Sequence, residues 1–347
     1  MTSSWNLAQR VIAQTCLPLI HLLLLVVRRV AGKEMTNRLM QLLTRFLSDY
    51  LAVQGNSDPV YKTFAEKGFC LLRITWDIPV PDDEDLSYQK ESALVGIDMN
   101  DASQVAFTED VVQRYKSEFN SLPLSPTGDP HRYHLLNGSF MAGDGNVYYS
   151  LIRHLKPRRI VEVGSGNSTL LASHAIEKCA HEYPGFCCDL IAIEPHPADY
   201  LVNIAALTEL RRVRLQQTDL AFFETLEAGD ILFIDSSHVL KSGGDVWYAY
   251  CEIIPRLKPG IYVHLHDISL PKPYPAVYHD AHIYWNEQYI LQALLTGNKR
   301  LEVVWAGTYL FKRHGERMQQ LFAPEFEQMR SLYPQAEPSS FWLRVVS

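Results

Sequence analysis

The chain predicts an α/β fold: a doubly wound, mostly parallel sheet with a C-terminal antiparallel strand, preceded by a mainly helical N-terminal region. Three observations predict it. From about residue 146, short apolar runs alternate with helix-length segments, the pattern of a parallel sheet covered on both faces. Before residue 140, the clearest apolar periodicity is helical. Two late apolar runs, 301–306 and 341–346, read as a final antiparallel pair.

The elements follow in order. Residues 35–53 place Leu39, Leu42, Leu43, Phe46, Leu47 and Tyr50 at helical spacing, and the polar break 54–59 ends that helix. Residues 69–76 are strand-like, a proline-bounded turn covers 78–83, and 104–121 form one more helix. A helix over 147–154 leads into a first strand at 159–163, followed by a helix over about 168–182. Further strands are expected at 190–194, 213–215, 230–235 and 261–266, the last after a helix closed by Pro259 and Gly260. The division expected is 1–55 for N-terminal helices, 56–140 for a helical accessory region and 141–347 for the ligand-binding domain.

Composition narrows the function classes. The 347 residues are 47% hydrophobic and 20% charged, ample for a core. A net charge of −7 gives no general attraction for nucleic acid, and none is expected as a partner. Six cysteines scattered over the chain show no metal-ligand spacing, so reduced thiols and a cytoplasmic setting are expected. Residues 11–27 carry no charged side chain and precede Arg28, Arg29 and Lys33. The run is short for a membrane span, and Gln14, Thr15, Pro18 and His21 weaken it further. Two readings stay open. It is a buried or oligomer-facing helix, which admits a homo-oligomer, or a membrane-resting helix with a basic flank. On the second reading, residues 11–33 hold the protein at the periphery of the inner membrane face.

The first strand ends in Glu162-Val163-Gly164-Ser165-Gly166-Asn167-Ser168-Thr169. Glycines between a strand and a helix let the backbone turn tightly and approach a ligand, and the helix start offers free amides. Ser168 stands where a pyrophosphate-binding motif has its third glycine, which favours a ligand without a pyrophosphate. Glu194, at the top of the second strand, suits two ribose hydroxyls. Asp219 is either an acceptor for an adenine amino group or a turn-forming Asp.

A second constellation gathers at the fourth and fifth strands. Asp235 ends one, with His238 three residues on; His264, His266 and Asp267 end the other. In an open α/β sheet, ligands bind outside the carboxyl ends of the strands. A divalent cation on Asp235, His266 and Asp267 would orient a substrate hydroxyl and lower its pKa. His238, titratable near neutral pH, would then be the general base. His264 lies deeper and is expected to pack. The proline- and aromatic-rich segment 269–287 is expected to cover the substrate, and Asp144 and Asn146 to help close the pocket.

These motifs resemble the class I S-adenosylmethionine-dependent methyltransferases, which carry a Rossmann-like sheet. The stretches Phe233-Ile234-Asp235-Ser236-Ser237-His238-Val239, Gly243-Gly244-Asp245-Val246, Leu257-Lys258-Pro259-Gly260 and His264-Leu265-His266-Asp267-Ile268 are more specific. They look like the bacterial branch related to macrocin-type sugar O-methyltransferases and cephalosporin hydroxylases. With Gly68-Phe69, Ile78-Pro79-Val80-Pro81-Asp82 and Gly96-Ile97-Asp98, the resemblance covers roughly residues 60–346. It implies that Glu162, Gly164 and Gly166 hold the methionine part of S-adenosylmethionine and Glu194 its ribose, with Ser165 and Ser168 also among the cofactor-binding residues. It also implies a metal on Asp235 with acidic residues of the fifth strand, and His238 as the catalytic histidine. The chain departs at His266, where the sugar methyltransferases carry a carboxylate. A histidine beside two aspartates suits Mn, Fe or Zn better than Mg.

The expectation is therefore O-methylation of a hydroxyl on a small-molecule acceptor such as a sugar or glycosylated metabolite. Cofactors would be S-adenosylmethionine and a divalent metal (Mg, Mn or Fe). Two alternatives stay open: an iron hydroxylase using Asp235, His238 and His266, or an S-adenosylmethionine-binding protein without turnover.

Overall fold

The computed structural model describes residues 29, 33–46, 90–280 and 283–347. The apolar run 11–27, the expected strand 69–76 and the turn 78–83 lie outside the described residues. Two compact units divide the chain, Met1–Val80 and Pro81–Ser347. The described part of the first is chiefly one helix, α1, over 33–46. No helix among the described residues is long and apolar enough to cross a membrane, and the four described cysteines are free thiols.

The second unit is built on seven strands. They are β1 Arg159–Val163, β2 Asp189–Ile193, β3 Leu207–Arg211, β4 Ile231–Ile234, β5 Tyr262–Leu265, β6 Leu301–Ala306 and β7 Phe341–Val345. Their order is β3-β2-β1-β4-β5-β7-β6. The first five are parallel; β7 runs antiparallel to β5, and β6 antiparallel to β7. The α/β class, the mostly parallel sheet and the antiparallel end are as the sequence predicts. The central strands read as unbroken apolar runs because successive side chains enter opposite layers, both covered. Ile160, Ile231 and Phe233 join one core layer, whereas Val161, Val163, Leu232 and Ile234 join the other.

The third strand departs from its expected position: it is Leu207–Arg211, and 215–217 is a single 3₁₀ turn. Strand β3 is the sheet edge, so its outer side chains meet water. Edge strands tolerate polar residues such as Thr208, Glu209 and Arg211, which removes the apolar signal.

Residue 140 is no boundary in the structure. Helix α2 runs through Asp101–Phe107, a π turn at Thr108–Val112, and Gln113–Asn120. Its Phe119, with Tyr133 and Phe140, shares one core layer with Tyr148, Leu170 and Phe233. The accessory region expected at 56–140 is therefore divided by the unit boundary at Val80/Pro81, and its part from Asp101 onward packs into the sheet domain. Helices α3 (Asp144–Leu155) and α4 (Asn167–Glu182) flank β1 in sequence, and α5 is the short Leu220–Phe223. The chain leaves β1 toward β2 on one side and reaches β4 and β5 on the other, so a switch point opens at the carboxyl ends of β1 and β4.

Candidate active site

The glycine loop and the end of β4 are built as one piece. The Asp235 amide donates to the Val163 carbonyl at 2.8 Å, and the Gly164 amide to the Ile193 carbonyl at 3.1 Å. Gly164 has φ +83°, and a Cβ there would lie 1.8 Å from the Asp235 carbonyl oxygen. Only glycine permits this approach. Beneath the loop, fully buried Glu162 accepts the Tyr148 hydroxyl at 2.9 Å and the Thr169 hydroxyl at 2.5 Å. Thr169 Oγ1 in turn accepts from the Gly166 amide at 3.0 Å. Burial pushes the Glu162 carboxyl up to about 7 against the lowering effect of these hydroxyls. Glu162 thus shapes the loop from below and does not line the crevice, in contrast to the methionine contact that the resemblance implies.

Two chambers meet at Gly164, Glu194 and Asp235. One, of about 520 Å³, is lined by Gly166, Ser168, Asp144, His266, Asp267, Tyr278 and Ser339 among others. The other, of about 560 Å³, is lined by Ile193, Leu215, Gln216, Ser236 and Lys241. Asp219 lines neither chamber: it is exposed, and its carboxylate caps α5 by accepting from the Ala221 amide at 3.0 Å. Gln216 stands where an adenine acceptor was sought. Its Nε2 donates to the Gly243 carbonyl at 3.2 Å, while its buried Oε1 has no protein partner.

Beyond Asp235 lies a knot of carboxylates and imidazoles. His238 Nε2 is 3.3 Å from Asp235 Oδ1 and 3.4 Å from Asp267 Oδ2; its Nδ1 is 2.9 Å from Glu287 Oε2. His266 Nδ1 lies 3.6 Å from both Asp235 Oδ2 and Asp267 Oδ2, and its Nε2 3.5 Å from Asp144 Oδ2. Both His238 and Asp267 adopt left-handed backbone, φ +57° and +56°, a conformation that non-glycine residues keep where the surroundings enforce it. Burial works against charge on His238, but hydrogen bonds to Asp235 and Glu287 and the nearby Asp267 carry it up to about 10. His266 is likewise held well above its usual range by Asp267, Asp235 and Asp144, against its burial. Asp235 and Asp267 are held low by the same imidazoles despite burial.

The cluster changes what each residue offers. His238 does not line either chamber, and its ring nitrogens face Asp235, Asp267 and Glu287, which raise its pKa. His264 packs, as expected: it stacks on Phe233 at 3.9 Å, is held neutral by burial, and meets Ser340 Oγ at 2.8 Å. The aromatic segment contributes Pro275 and Tyr278 to the crevice, and Trp285 packs on His238 with centroids 4.3 Å apart.

Sequence reasoning gave no role to Glu287, which opens helix α6 (Glu287–Leu295). An acid in a first turn is ordinary dipole complementarity, so nothing local marks it. The peptide amides of Asn286 and Glu287 also donate to the His238 carbonyl, at 3.1 and 3.2 Å. The C-terminal segment was missed too. Ser339 and Ser340 amides donate to Asp144, and Ser339 Oγ lies 3.2 Å from Asp267 Oδ1.

The donor set fits a cation. Both ring nitrogens of His266 are buried without a hydrogen-bond partner, and one atom each of Asp235, His238 and Asp267 can be chosen within 4.8 Å of one another. Separations of 3.3–3.6 Å exceed ordinary charge-assisted bonds. Ligands about 2.1 Å from one ion at 90–109° lie about 3.0–3.4 Å apart.

Residues 161–268 match the family model described as a methyltransferase domain. An uncharacterized protein of Archaeoglobus fulgidus is 34% identical over 141 residues, 40% of this chain and 61% of that protein. The chain thus spans less than two thirds of that relative. Among solved structures, the O-methyltransferase from Bacillus cereus in complex with SAH aligns at 14% identity over 71% of this chain and 91% of its own, TM-score 0.31. The CmcI apo-structure aligns at 19% over 59% and 71%, TM-score 0.32. The sheet order and its strand–glycine loop–helix unit are Rossmann-like, and residues 161–268 within them are similar to a methyltransferase domain.

Proposed function

We propose that the protein is an O-methyltransferase that moves the methyl group of S-adenosylmethionine to a hydroxyl of a small polar acceptor such as a sugar or glycosylated metabolite. One observation carries the reading: Asp235 forms the common wall of two chambers, one beside Glu194 and one beside Asp267. The adenosine sits in the chamber of Glu194, Leu215, Gln216 and Ser236. Glu194 takes the ribose hydroxyls and Gln216 Oε1 the adenine amino group. The methionine part passes over Gly164 and Gly166, which brings the sulfonium methyl to the acceptor chamber. There the acceptor oxygen attacks in line; the O–CH₃ bond forms, the S–CH₃ bond breaks, and S-adenosylhomocysteine leaves neutral at sulfur. The hydroxyl proton passes to water at the chamber mouth. Tyr278 and Pro275 exclude water.

Asp235, His238 and Asp267, with His266 beside them, would hold a divalent cation, and two imidazoles favour Mn or Fe over Mg. Such an ion supplies Lewis-acid polarisation of a hydroxyl oxygen. The same reading keeps the protein at the inner face of the membrane through its N-terminal region.

Calorimetry with S-adenosylmethionine tests the first part. Binding is expected for the full chain, with at least tenfold loss in Glu194→Ala from two charge-assisted bonds. No binding, or unchanged affinity in that variant, refutes it. Release of S-adenosylhomocysteine against a panel of hydroxylated acceptors tests the transfer. Chelation should lower that rate, with Mn²⁺ restoring it better than Mg²⁺; a rate indifferent to chelator removes the metal.

A further inference from the structure

Helix α1 carries an exposed apolar stripe. At 100° per residue, Met35, Leu39, Leu42, Leu43 and Phe46 fall within an arc of about 100°. A stripe of that width on a globular protein's helix is normally buried in its core. Here Leu42 is 63% and Phe46 74% exposed, and Met35 and Leu43 are exposed as well. Charge supplies the second observation. Residues 1–46 hold six basic side chains (Arg10, Arg28, Arg29, Lys33, Arg38, Arg45) and a single acidic one, Glu34, whereas the whole chain carries −7. The remainder is therefore at −12. Glu34 is paired with Arg38 at 2.8 Å on the polar side of the helix. An uncharged run, 11–27, directly precedes the basic cluster.

We infer that α1 lies in the interface of a membrane bearing anionic lipid, with Met35, Leu39, Leu42, Leu43 and Phe46 sunk among the upper acyl chains. Lys33 and Arg45 reach lipid phosphates from the polar flanks, their stems lying along the apolar boundary. Anionic lipid is the occupant because the segment is positive and the rest of the chain negative. A surface of that sign attracts the N-terminal segment and repels the remainder of the chain. This sharpens the membrane-surface reading of the N-terminal region and is independent of methyl transfer, which cofactor calorimetry reads separately.

The test is flotation of the full chain with phosphatidylcholine vesicles, with and without phosphatidylglycerol. Binding is expected to the mixed vesicles and to fall at high salt. Lys33→Gln and Arg45→Gln should each weaken partition roughly fivefold. Leu42→Glu with Phe46→Glu should abolish it while far-UV circular dichroism and cofactor affinity stay unchanged. Equal binding to neutral vesicles, or binding unaffected by the α1 variants, overturns the proposal. So does a concentration-dependent dimer, seen by light scattering, that the Leu42→Glu/Phe46→Glu variant dissolves, since a second copy would then cover the stripe.

Discussion

His238 is held in place from several sides. Its imidazole is ringed by Asp235, Asp267 and Glu287, and its own carbonyl receives two amides from the start of α6. Removing Glu287 takes the carboxylate from the Nδ1 side of the buried His238 ring and breaks a buried pair, which costs about 3–5 kcal/mol. Glu287→Ala should therefore lower Tm by roughly 6–20 °C in a unit of this size; a differential scan showing no change would contradict the clamp. Glu162 makes the opposite case, a buried acid with two hydroxyl donors and no cation beside it. Its folded pKa, about 7, stands above the ordinary value of 4.5. Its contribution is then full below about pH 4.5 and is lost as pH rises through about 7. Melting from pH 5 to 8.5 should show the native chain losing more stability than Glu162→Gln. Parallel curves would refute the raised pKa.

At the scale of elements, the decisive contact is between the β1 loop and the end of β4. Gly164→Ala forces a methyl into the Asp235 carbonyl at 1.8 Å, so the loop must move and cofactor affinity should fall at least tenfold. Gly185 has a similar φ, +88°, but open space around it. Gly185→Ala should cost only about 1 kcal/mol and leave affinity alone; calorimetry on the pair separates close approach from backbone strain. The same scale shows what was legible beforehand. Strands β1, β2, β4 and β5 declare themselves because both faces are buried, and the runs of β2, β4 and β5 stop at a polar residue where the crevice begins. Glu194, Asp235 and His266 are therefore readable as strand-end groups. Strand β3 was misplaced because its edge position admits Thr208, Glu209 and Arg211. Glu287 and Ser339 were invisible because their roles come from segments that return to the site from far along the chain.

For the whole molecule, the sheet order is what unites the two halves of the site. Strands β1 and β4 are separated by two other strands in sequence yet pair side by side, so the glycine loop meets Asp235 only once the sheet closes. The N-terminal unit follows another logic: its segment 1–46 is net positive and α1 has an exposed apolar face, whereas the rest of the chain is net negative. The exposure of the α1 stripe is what points to a role for it.

The wall at Asp235 has a consequence for how this protein can be re-tooled. Gly164, Glu194 and Asp235 face both chambers, so under the proposed assignment a change there taxes cofactor and acceptor together. Tyr278 and Pro275 from the aromatic segment, with Gln335 and Ser339 from the return to β7, line the acceptor side alone. New acceptor preferences are accessible by varying those four positions while the wall is left as it stands.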